Sequence, residues 1–264
     1  MSKGRKMVWL RRTLIRQLRI PGGSVLIGVL AAAILVSSSA TPANAKKPDE
    51  ILRYEVTWNG KKAAHGDIST TDGKTSVEVV VQAVSDGVLK SIIEMWGRVN
   101  ARFASKTFKP MRYTYRLKSN LLPNEVVDLN FNHRTGLVKV EKFKGDERES
   151  HSEKFEAAYD PVTAACLLRS QRDYSKPGYV DIYDGKGRSR LFVSAGTVEL
   201  LHVKGATCPA VKLRLRLLRL TGGDKGDTTS ATVWISNDRY RVPLLLTASH
   251  LVGTVRFELV KVQR

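Results

Sequence analysis

Acidic side chains are missing from the first 45 residues, cysteine occurs only twice in 264, and aromatic residues make up 7%. Two cysteines exclude a disulfide-dense miniature scaffold, and 42% hydrophobic content excludes disorder throughout. The five histidines (His65, His133, His151, His202 and His250) include no pair at the close helical spacing of a zinc hydrolase. No nucleophile elbow surrounds Ser194, Ser236 or Ser249. Lys186-Gly187-Arg188-Ser189 lacks the glycine spacing and the Lys-Ser/Thr ending of a phosphate loop. Asp224 and Asp227 lack the further oxygen ligands of a calcium loop. On this reading there is no catalytic residue, no metal site and no cofactor to assign.

Positive charge is in excess: 44 Lys and Arg stand against 25 Asp and Glu, a formal net charge of +19. Seven of those bases (Lys3, Arg5, Lys6, Arg11, Arg12, Arg16 and Arg19) precede the uncharged run Ile20 to Ala45, whose apolar centre is Val25 to Val36. That centre is about 12 residues long, shorter than the ~20 a membrane-spanning helix needs. Ala43-Asn44-Ala45 supplies the small, spacer, small pattern of a signal peptidase site. The expectation is a signal peptide over residues 1–45, export by the general secretory route, cleavage after Ala45, and a single periplasmic β-rich domain over 46–264. The basic N-terminus belongs to the signal, and the remaining +12 comes without a nucleic-acid module. Nucleic acid is therefore not the expected partner.

After the signal the pattern is that of strands. Ile51 to Trp58 runs into Asn59-Gly60, a hairpin dipeptide, and resumes at Lys61 to Ser69. Between Thr75 and Val84, Val77, Val79, Val81 and Ala83 share one face in period two. Arg98–Ala104, Arg112–Lys118, Glu125–Asn132 and Leu137–Lys144 continue the meander. Val88, Leu89, Ile92, Ile93 and Met95 fit one face of a short helix over Asp86–Trp96, and the nearly all-polar Lys144–Lys154 reads as an exposed connection. Asp160-Pro161 is a helix start, because Asp caps free amides and Pro suits the first helical position. That helix runs to about Arg169.

Strands return at Tyr179–Tyr183, Arg190–Ser194, Thr197–Val203, Ala210–Leu220, Thr229–Ser236, Tyr240–Thr247 and Val252–Val260, with Pro243 marking an edge or bulge. The fold class is mostly β: a curved antiparallel sheet or open barrel/β-spiral with one or two packed helices.

Three segments carry a resemblance: Arg53-Tyr54-Glu55-Val56-Thr57-Trp58-Asn59-Gly60; Tyr159-Asp160-Pro161-Val162-Thr163; and Val233-Trp234-Ile235-Ser236-Asn237-Asp238 followed by Arg241-Val242-Pro243. Together they resemble the Domain of Unknown Function 3108 family of exported bacterial proteins, over most of residues 50–262. More loosely the chain is similar to exported β-spiral proteins of cell-envelope integrity. The family resemblance implies an envelope location and a mostly β fold, and it supplies no catalytic residues.

Cys166 and Cys208, 42 positions apart, are the pair an oxidising compartment would join; a bridge closing that loop would contribute about 4 kcal/mol in the chain-entropy model. For ligand contact the candidates are Trp58, Trp96, Lys212, Arg214, Arg216, Trp234, Arg239 and Arg241. The aromatics offer apolar surface with a polar edge, and the bases alternate beside an apolar strand face. The function expected is that of a non-enzymatic binding or structural module contributing to envelope integrity, peripherally associated with the envelope. Its partner would be an anionic lipid, a glycan or an envelope protein. The alternatives are an envelope enzyme and a scaffold without a small-molecule ligand.

Overall fold

The alternation of apolar and polar residues produces one continuous antiparallel sheet that wraps around a helix. The computed structural model describes residues 47–155, 158–223, 225–250 and 253–264. The expected signal peptide and its cleavage site lie outside the described residues.

The first eight strands form a meander: β1 (Glu50–Trp58), β2 (Lys61–Asp72), β3 (Ser76–Ser85), β4 (Met95–Ala104), β5 (Pro110–Ser119), β6 (Glu125–Asn132), β7 (Leu137–Lys144) and β8 (Glu147–Lys154). The β1–β2 turn has positive φ at both Asn59 (48°) and Gly60 (76°), the geometry that selects this dipeptide. A single turn, α1 (Gly87–Lys90), follows β3, and the ten-residue helix α2 (Pro161–Ser170) follows β8. Then come β9 (Gly178–Tyr183), β10 (Arg188–Val193), β11 (Thr197–Val203), β12 (Ala206–Arg219), β13 (Thr228–Ser236), β14 (Pro243–His250) and β15 (Gly253–Gln263).

The spatial order is β8-β7-β6-β5-β4-β3-β2-β1-β15-β14-β13-β12-β10-β9. One edge of β12 is shared end to end: its first half pairs with β11 and its second half with β10. Twist accumulates along so many strands that a flat sheet is not available, and the sheet curls. It stays open, with β8 and β9 as its two ends, and the ends meet through side chains: the Tyr183 hydroxyl donates to Glu153.

Curling puts one face of every strand inside. Around the second half of the sheet, Leu52, Tyr54, Leu213, Leu217, Ile235 and Phe257 form one core; around β3–β7, Val79, Val99, Phe103, Tyr113, Leu129 and Val140 form another. Helix α2 lies between them, with Ala164 and Leu168 in the first core and Val162 in the second.

Three local expectations differ from the structure. The helix over Asp86–Trp96 is reduced to α1: a turn follows it, in which the N–H groups of Ile92 and Ile93 donate to the Leu89 carbonyl, and β4 starts at Met95, with Trp96 opposite Val84 of β3. Lys144–Lys154 is not a connection: Glu147–Lys154 pairs with β7 at all eight positions. Tyr240 lies in the turn before β14, which starts at Pro243, where the β13 register shifts.

Candidate functional site at the barrel mouth

Asp160 fixes where α2 begins. Its carboxylate accepts from the backbone N–H of Val162 (3.0 Å) and Thr163 (2.9 Å), and from the Thr163 hydroxyl. Asp160 and Thr163 are both fully buried, and burial pushes the Asp160 carboxyl up to about 6.

The C-terminal end of α2 is fixed by Arg169. Its guanidinium donates to both oxygens of Glu50 at 2.5 and 3.0 Å, and to the backbone carbonyls of Tyr240 and Arg241. Burial raises the Glu50 carboxyl, but hydrogen bonds and charge from Arg169 and Arg264 outweigh it and hold the group below its ordinary value. Tyr54 adds a further tie by donating to the Pro243 carbonyl at 2.8 Å. The helix end, the start of β1, the chain end and the β13–β14 turn are thus held together at one mouth of the barrel.

A cavity of ≈ 750 Å³ opens at that mouth, within the range of small-molecule sites. Val77, Phe103, Phe108 and Cys166 give it an apolar floor, where the Phe103 and Phe108 rings stack at 5.4 Å. Its rim carries Arg169, Arg172, Arg239 and Arg241 with Asp72 and Asp238. Arg169 is neutralised by Glu50. Asp238 is engaged by its own turn, accepting from the Ser236 hydroxyl and the N–H groups of Tyr240 and Arg241. Arg239 stacks on Tyr240 and Arg241 on Tyr174, at 4.7 and 5.5 Å. Among the described residues no carboxylate forms an ion pair with Arg172, Arg239 or Arg241. The Arg241 guanidinium donates to Asn237 Oδ1 at 2.9 Å and to the Arg172 carbonyl at 3.0 Å, and Arg239 donates to the Tyr240 hydroxyl, so the mouth offers apolar surface below and guanidinium held by neutral acceptors above.

Cys166 in its floor is not an activated nucleophile. Burial pushes the Cys166 thiol up to about 12, so the thiolate is not populated at neutral pH. Among the described residues no group of three His, Cys, Asp or Glu side chains converges for a metal.

A family profile described as "Protein of unknown function (DUF3108)" matches residues 53–260. The chain belongs to the DUF3108 family. No curated protein matches it significantly by sequence. Among solved structures, this DUF3108 chain is similar to a β-barrel-like protein of the DUF1849 domain from Brucella abortus, at 11% identity and a TM-score of 0.57. That match covers 83% of this chain and 98% of the other. At that identity the likeness shows the fold alone. A chain from Parabacteroides distasonis, titled "putative lipoprotein", aligns at 8% identity over 86% of this chain and 100% of its own, with a TM-score of 0.34.

The DUF3108 fold scatters the residues singled out from sequence. Arg239 and Arg241 reach the mouth. Lys212, Arg214, Arg216 and Trp234 lie together on the outward faces of β12 and β13, where the Lys212 ammonium sits 5.3 Å from the Trp234 ring centre and Glu199 binds both. Trp96 is on the outer face of β4 beneath Lys118, and Trp58 is at the far end of β1, so neither joins the mouth. The expected Cys166–Cys208 bridge is absent and both thiols are free. Cys166 packs inside the sheet beside the β3–β7 core, whereas strand alternation turns Cys208 to the opposite face, where Ala210 is buried with Leu201, Val203 and Leu245 in a third, smaller core.

Arg169, Arg172, Phe103 and Phe108 were not singled out. Arg169 had one local signal, a base in the last turn of a helix. Its partner Glu50 lies 119 positions earlier, a separation no short pattern reports.

Proposed function

We propose that this DUF3108 protein is a periplasmic, non-enzymatic cell-envelope protein that holds an amphipathic anion of the lipid class at the barrel mouth. The observation that carries this reading is the pairing of an apolar floor with three arginines that lack carboxylate partners. Alkyl surface would lie on Phe103, Phe108 and Val77, and a carboxylate or phosphate head would meet Arg172, Arg239 and Arg241. A guanidinium without a carboxylate partner still has donors to offer an anion, and burial of alkyl groups contributes about 25 cal/mol per Å². The basic, apolar and Ala43-Asn44-Ala45 segments of the N-terminus support export.

The test uses the mature protein and a dansylated fatty acid as probe, with native mass spectrometry of protein taken from its own envelope. The probe should bind with enhanced fluorescence, and Arg172→Glu with Arg239→Glu should weaken it roughly tenfold while leaving the circular dichroism unchanged. Equal binding by the variant would overturn the reading. So would absence of both probe binding and any co-purified amphiphile.

A further inference from the structure

We propose that the outward face of β9, β10, β12, β13 and β14 is a second binding surface, separate from the mouth, for an anionic glycan chain. A groove of ≈ 570 Å³ crosses these strands, with Phe192, Ser194, Arg214, Arg216, Thr232 and Thr247 among its outward lining.

Strand register shows how it is made. One cross-strand row runs Tyr179, Phe192, Arg216, Ser230. The next runs Arg214, Thr232, Thr247, Arg256, Thr57, Lys62. Neither row contains an acidic residue, in a chain that has 25. Acids appear only where the band ends. On one side Asp181 pairs with Arg190 at 2.7 Å; on the other, Glu199 binds Lys212, Glu258 and Glu55 lie in the same outward row, and Glu258 pairs with Arg256 at 3.0 Å. At the far end Asp86 pairs with Lys62 at 2.8 Å, which leaves Arg214 and Arg216 as the bases of the two rows without an acid. Arg214 and Arg216 have no carboxylate partner among the described residues.

The groove's chemistry favours a sugar polymer over a membrane surface. Its direction is across the strands, and four interstrand steps of about 4.8 Å give a trough about 19 Å long, suited to one extended chain. Hydroxyls of Thr232 and Thr247 can exchange hydrogen bonds with sugar hydroxyls, while that of Ser194 donates to the Ala195 carbonyl and accepts from the Arg214 N–H. Phe192 and Tyr179, with centroids 6.4 Å apart, carry the Arg216 and Arg190 guanidinium groups over their rings at 4.7 and 4.2 Å, and the Tyr179 ring, 63% exposed, still offers apolar surface to the C–H face of a pyranose. Arg214 and Arg216 are two positions apart on one strand, about 7 Å, and present planar donors that match carboxylate or phosphate substituents.

The experiment is calorimetric titration of the mature protein with alginate oligomers, neutral dextran and phosphatidylglycerol vesicles at physiological ionic strength. Arg214→Glu/Arg216→Glu is compared with the charge-matched pair Arg116→Glu/Lys118→Glu, exposed on the outer face of β5. The wild type should bind alginate in preference to dextran. The first pair should weaken that binding roughly tenfold and the second by less than about twofold. Unchanged binding of the dansylated fatty acid by Arg214→Glu/Arg216→Glu would establish that the variant is folded and that the two surfaces are separate. Equal loss in both pairs would mean that net charge alone attracts the polymer and would overturn the proposal. It is also overturned by vesicle binding without alginate binding, or by no binding of alginate at all.

Discussion

Asp160 caps α2 with an oxygen that the fold has removed from water. Asp184, almost as buried, is treated differently: Arg219 donates to both its oxygens at 3.2 and 2.8 Å, and the N–H groups of Lys186 and Gly187 add two more bonds. Asp160 receives only neutral donors, and its folded-state pKa of about 6 lies above the ordinary 3.8. Between those values the folded protein binds more protons than the unfolded chain, so this group's contribution to stability falls as pH rises. Asn caps as well as Asp and carries no charge. Asp160→Asn should therefore be about 2 kcal/mol more stable than the wild type at pH 7, with the advantage shrinking towards pH 4. Urea denaturation of both proteins across that range measures it, and an advantage that does not change with pH would mean that Asp160 is not the titrating group.

At the scale of elements, the turn between β9 and β10 does more than reverse the chain. Asp184-Gly185-Lys186-Gly187 reads in sequence as a hairpin loop, yet it is packed against β6, where Lys186 pairs with Glu125 at 2.5 Å. Gly185 has φ of +81°, and a Cβ there would lie 2.7 Å from Val127 and 3.0 Å from Leu129. Gly136 also has positive φ (+67°) but nothing within 4 Å. Gly136→Ala should cost about 1 kcal/mol, from backbone strain alone. Gly185→Ala should cost about 3 kcal/mol, because overpacking adds to the strain. Equal losses in denaturant midpoint would show that the turn can lift away from β6.

The same elements show what the sequence made legible. β3 and β12 announce themselves through alternation, and α2 through a cap at adjacent residues, because each signal is local. β8 has none of this: it pairs with β7 through its backbone while nearly all its side chains stay exposed, so polarity disguises it as a loop. The mouth is similarly hidden, since Phe103, Arg172 and Arg239 meet only after the sheet has curled. Arg239 and Arg241 were legible as bases beside Pro243, but their aromatic partners and the floor below them were not.

For the whole molecule, the question is whether the two larger cores make two folding units. Ile68 packs against both, and α2 gives Leu168 and Ala164 to one and Val162 to the other. The Tyr183–Glu153 hydrogen bond and the Gly185 turn join the two ends of the sheet. A helix shared in this way cannot leave one core without opening the other, so unfolding should be a single transition. Two native tryptophans allow a direct check, because Trp96 lies on β4 and Trp234 on β13. Variants that retain only one of them should show coincident urea midpoints. Leu168→Ala, which removes a buried side chain from the second-half core alone, should cost about 3 kcal/mol and displace both midpoints together. If only the Trp234 signal moved, the halves would be independent units, and α2 would be a plug in one of them rather than the element that joins both.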